Sequence, residues 1–120
     1  MSIRHQMRAR VEELFKIMIE SESFPREEEV TVYAVFVPRE KDWGEERIEV
    51  SEHELSLEDK DSVKAFLDRT TREALEGDVK NLYLACYVFE SEEGLRIVTK
   101  EKGLPEDKIK SRIERMREDV

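Results

Sequence analysis

The chain has 120 residues, 30 acidic and 21 basic side chains, and a formal net charge of −9. That length predicts one domain, and the single cysteine excludes a disulfide scaffold. Four glycines and three prolines exclude a collagen-like or low-complexity chain, and the longest apolar run, Leu82 to Phe89, is far short of the roughly 20 residues that span a bilayer.

The first ten residues carry three arginines and no apolar stretch, so no secretory leader is expected. With Cys86 alone, this points to a reducing, cytoplasmic setting. Gln6 and Asn81 are the only amides in a charge-rich chain. Such a composition suits a hot environment, where amides are labile and ion pairs desolvate more cheaply. The charge is uneven: Glu20 to Asp61 holds 15 acidic and 5 basic residues, whereas Arg96 to Val120 holds 8 basic and 6 acidic. Runs of this kind usually form solvated faces that pair with each other.

In chain order, Ile3, Met7, Val11, Leu14, Phe15, Met18 and Ile19 recur at helical spacing and predict a first helix from about Ser2 to Ser23. It must stop before Pro25. Arg4 and Arg8 sit near its positive end, the wrong sign for the helix dipole, and call for an acidic neighbour. Glu29 to Val37 is rich in β-branched and aromatic residues and predicts a strand closed by Pro38. A loop from Arg39 to Glu46 leads to a short alternating strand, Arg47 to Val50. The stretch Ser51 to Lys60 is ambiguous, with two matches to the capping-box spacing.

A second helix is expected from Asp61 to Glu76, with Val63, Phe66, Leu67, Thr70 and Ala74 facing inward and Gly77 as its left-handed stop. Asn81 to Glu90 and Leu95 to Lys100 form a second hairpin around Glu93-Gly94. Pro105, Glu106 and Asp107 open a third helix, with Ile109, Ile113, Met116 and Val120 as its narrow apolar stripe.

The order αββαββα predicts an α+β fold with a four-stranded antiparallel sheet and three helices. Residues 1–50 and 61–100 read as one structural unit used twice. The long strands, first and third, are apolar on both faces and belong in the centre; the other two are more polar and belong at the edges. A right-handed crossover then gives the strand order 2-1-3-4. Strict alternation puts Tyr33, Val35 and Val37 on one face of the first strand. It sets Tyr83, Ala85, Tyr87 and Phe89 together on one face of the third. Two helices cover one face of the sheet. The other is left to a narrow third helix or to a second subunit, and a homodimer is expected on that ground. In element order and acidity the chain is similar to the type III secretion chaperones, small acidic dimers. No motif carries that resemblance, and no residue role is taken from it.

No catalytic constellation stands out. His53 lies between Glu52 and Glu54, but consecutive side chains diverge, and no zinc-type spacing is present, so neither a metal nor a cofactor is expected. Cys86 reads as a small buried hydrophobe. The acids Glu27, Glu28, Glu29, Glu45 and Glu46 fall at loop and strand ends, where water keeps them ionised. No nucleophile–His–Asp order and no phosphate-cradling glycine loop occurs.

Trp43, the only tryptophan, sits at a hairpin tip between Arg39, Lys41 and Gly44. It either folds back onto its own sheet or anchors a partner. The leading expectation is a non-enzymatic interaction module acting as a homodimer. It would engage a protein partner through Trp43, Arg39 and Lys41, through the face carrying Tyr33, Tyr87 and Phe89, or through an open sheet edge. One alternative is a nucleic-acid-associated protein using Lys108, Lys110, Arg112 and Arg115 of the third helix, which Glu114, Glu118 and Asp119 interrupt. Another is a small-molecule binder with a pocket between the sheet and the first helix, offering Tyr33 or Tyr83.

Overall fold

Nine residues, Val30–Pro38, form the strand β1 around which the chain folds. The structure is a computed structural model and describes residues 2–26, 28–40 and 42–118. Before β1 comes the helix α1, Ile3–Glu20, capped by Ser2, whose hydroxyl accepts from the His5 N–H. After it come a 3-10 turn, Glu45–Arg47, and the strand β2, Glu49–Leu55. The helix α2, Lys60–Val79, leads to the hairpin β3, Leu82–Ser91, and β4, Gly94–Val98. The helix α3, Glu106–Glu118, follows. The sheet is antiparallel with the order β2-β1-β3-β4. Fold class and strand order are those the sequence predicts. No helix among the described residues is long and apolar enough to cross a membrane.

β2 runs five residues beyond the predicted Val50. Ser-Glu-His-Glu-Leu looks too polar for a strand, yet it alternates. His53 and Leu55 are buried on the α2 side, and Glu52 and Glu54 are exposed. The α2 helix is longer as well. Asp59 caps it by accepting from the N–H groups of Asp61 and Ser62. Gly77 does not end it but stays helical and buried; a Cβ there would meet the Leu82 carbonyl oxygen at 3.3 Å. The stop falls to Asn81 at φ 63°, the only described non-glycine residue in the left-handed region. Asparagine is one of the few side chains with a Cβ that adopt that conformation readily.

Against α1 and α2 lies a core containing Val32, Ala34, Phe36, Leu55, Leu84, Tyr87 and Phe89. Its aromatic spine runs Phe15–Phe66 at 5.7 Å and Phe66–Tyr87 at 5.3 Å between ring centroids. Arg8 pairs with Asp68 and ties the two helices together, answering the misplaced positive charge of α1. The opposite core joins Tyr33, Val35, Val37, Ala85, Cys86 and Val88 to Leu104, Ile109 and Ile113.

The assignment of β3 to its faces is corrected by a β-bulge. Val35 pairs with Cys86 and Phe36 with Leu84, so Ala85 is an extra residue. Ala85 and Cys86 both turn toward α3. Beyond them Tyr87 and Phe89 fall on the α2 side with Leu82 and Leu84, away from Tyr33. The open sheet face is corrected too. Ile109 and Ile113 are fully buried on it, and Met116 and Trp43 pack beside them. Val120, the last residue of the predicted stripe, lies outside the described residues.

Candidate functional site

With both faces covered, the sheet still has free edges. Among the described residues, β2 is paired to β1 and to nothing else. Its outer edge is lined by exposed Glu49, Glu52 and Glu54. Charged side chains along an edge discourage two copies from pairing through it.

Beneath the edge, on the α2 side, sits a half-buried polar network. Alternation along β2 points Ser51 and His53 toward α2, and Glu73 comes from that helix. Glu73 Oε1 accepts from the Ser51 hydroxyl at 2.9 Å and lies 2.9 Å from His53 Nε2, while Ser51 Oγ is 3.0 Å from the same ring nitrogen. The imidazole is buried and meets the Phe66 ring edge-on at 5.5 Å. Burial raises the affinity of the Glu73 carboxyl for a proton. The hydrogen bond from His53 and its charge, helped by Ser51, outweigh this and hold the group below the usual carboxylate range.

The network differs from a nucleophilic relay. Serine and carboxylate share Nε2, and the serine proton is held by the carboxylate, whereas a relay needs them on opposite ring nitrogens. What it does is fasten β2 to α2. Outside it opens a groove of about 230 Å³ lined by Phe36, Glu49, Val50, Ser51, Glu73, Glu76, Gly77 and Lys80. Among the described residues, no group of three or more His, Cys, Asp or Glu side chains is arranged to hold a metal ion.

The residues singled out from sequence are dispersed. Trp43 folds back: its Nε1–H donates to the Pro38 carbonyl at 3.2 Å, and its ring packs on the α3-side core. Arg39 pairs with Asp78 and lies over the Tyr83 ring, 5.9 Å from its centre. Lys41 lies outside the described residues, as do Glu27 and Asp119. Tyr33, Tyr87 and Phe89 are at most 1% exposed, so none is offered at the surface. Burial and the neighbouring Glu90 and Glu52 push the Tyr33 hydroxyl's pKa up, and that hydroxyl donates to Glu90 at 3.3 Å.

Tyr83 belongs, like Tyr33, to the α3 side, so neither tyrosine serves a pocket under α1. Along α3, Arg115 pairs with Glu45 at 3.0 Å and Arg117 with Glu90 at 3.0 Å, which takes positive charge out of the basic stripe. Lys108, Lys110 and Arg112 form no ion pair among the described residues. Cys86 is buried, and burial pushes its thiol pKa up. Glu73 escaped the sequence reading. The signal for it was Ser51 and His53 two residues apart on one strand, which set both polar groups toward a helix.

Sheet, helix layers and edge define an α+β domain with one sheet between a helix pair and a single helix. A protein of Aquifex aeolicus (strain VF5), described as an uncharacterized protein, is 44% identical over 121 residues, and the alignment covers 100% of each chain. The chain belongs to the family of that protein. No family model matches it, and no solved structure does.

Proposed function

We propose that this protein is a non-enzymatic interaction module that takes up an extended segment of another protein along the outer edge of β2. The observation that carries the reading is the contrast between covered faces and an open edge. Ile109 and Ile113 close one face, the helix pair closes the other, and among the described residues the seven of β2 keep a single neighbouring strand. A strand added there gains main-chain hydrogen bonds without any rearrangement of the core. A homodimer through the same edge is disfavoured, because antiparallel self-pairing would bring Glu52 and Glu54 close to their own counterparts.

The test is a display library of extended peptides selected on the intact protein, followed by hydrogen exchange with and without the selected sequences. The reading expects slowed exchange in Glu49–Leu55. Protection confined to α3 or to the loop carrying Trp43, or a library that yields no binder, overturns it.

A further inference from the structure

Resting on that reading, we propose that the docked segment is basic, and that one of its lysine or arginine side chains enters the groove between β2 and α2. Alternate residues of any strand added to β2 project toward the α2 side, beside Glu49 and Ser51. There the groove of about 230 Å³ presents the carboxylates of Glu49, Glu73 and Glu76 above Phe36 and Gly77. The apolar floor suits the methylene stem of a long cationic side chain, and the carboxylates suit its head. Glu49 and Glu76 form no ion pair among the described residues, so both are available to an incoming cation.

Lys80 is the sole basic residue of the lining, against three acids. On the other side of the added strand, exposed Glu52 and Glu54 repeat the sign. Of these two, Glu54 accepts from the Thr31 hydroxyl at 3.0 Å. An acidic segment, or a second β2, meets repulsion at every one of these positions. A neutral segment leaves the groove carboxylates solvated but unanswered. The chemistry therefore selects an extended segment with lysine or arginine at alternate positions.

The experiment uses the full chain and three fluorescein-labelled peptides of alternating valine and a second residue: lysine, glutamine or glutamate. Fluorescence polarisation is expected to give tightest binding for the lysine peptide, with the glutamine peptide at least about tenfold weaker, each tenfold being about 1.4 kcal/mol. Glu49→Gln with Glu76→Gln, both exposed and clear of the core, is expected to weaken the lysine peptide about tenfold and to leave the glutamine peptide unchanged. Hydrogen exchange on each complex separates the two claims. Equal affinity for lysine and glutamine peptides with β2 protected removes the basic selectivity and keeps edge docking. Binding of the lysine peptide without protection of β2 is diffuse attraction to an acidic protein and overturns both.

Discussion

The Tyr87 hydroxyl donates to Thr70 Oγ1 at 3.1 Å, with both residues fully buried between β3 and α2. Thr70 in turn donates to the Phe66 carbonyl at 3.0 Å. The two ends of this chain are unequal. Thr70→Val leaves the tyrosine hydroxyl buried without an acceptor, which costs about 1–3 kcal/mol, whereas Tyr87→Phe removes the donor and costs about 0.5–1.5 kcal/mol. Urea unfolding of the two variants checks the order. Equal costs would show that the hydroxyl finds another partner.

Glu73 makes stability depend on pH in a defined direction. Its carboxyl is lowered below an ordinary value of 4.5, since His53 and Ser51 outweigh the opposing effect of burial. A lowered folded-state value stabilises the fold above the unfolded value, and the contribution is lost as the pH falls through the folded one. Glu73→Gln is therefore expected to lower stability at pH 7 by about 1–3 kcal/mol and to flatten the loss below pH 4.5. Denaturant midpoints at neutral and acid pH test this; parallel pH curves for the two proteins would contradict it.

The closure of the second sheet face by α3 is measurable in solution. Ile113 is fully buried under its own chain, so Ile113→Ala is expected to cost about 2–5 kcal/mol. The unfolding temperature of the parent protein is expected not to vary with protein concentration, because the cover is intramolecular. A midpoint that climbs with concentration would assign part of this surface to a second copy.

Cys86 is expected to be inert in the native state. It lies in the bulge with no exposed surface, and burial raises its thiol pKa. A thiol reagent added to native protein should react only as fast as the chain opens, and at once in denaturant. Rapid native labelling would mean that the bulge opens locally.

The layering was legible from sequence because it rests on apolar periodicity. Val11, Leu14, Phe15 and Met18 repeat at helical spacing, and β1 and β3 are apolar on both sides, which makes them central. The faces of β3 were not legible. A bulge leaves no mark in Leu-Tyr-Leu-Ala-Cys-Tyr-Val-Phe, and the phase changes at Ala85, which has no partner between the Val35–Cys86 and Phe36–Leu84 pairs. The end of α2 was misplaced because glycine is the commoner left-handed residue, while Gly77 is needed small beside Leu82. The candidate site was half legible. His53 drew notice through its acidic neighbours Glu52 and Glu54, yet its partner Glu73 is 20 residues away on a helix. Contacts across that distance are set by the fold and leave no local spacing to read.

The extra residue at Ala85 has an outcome for tolerance to insertion and deletion. The two helical layers read β3 in opposite phases on either side of one position, like two gears meshed half a tooth apart. Removing Ala85 alone would restore simple alternation and leave Leu82, Tyr83 and Leu84 on their present sides, whereas removing any neighbour outside the bulge would shift the phase of a strand end. A codon lost at Val88 would instead send Phe89 to the α3 side, whereas a residue gained in the exposed turn at Glu92 and Glu93 would reach neither core. Length variation among relatives should therefore collect at the hairpin tips and, within β3, at Ala85 alone.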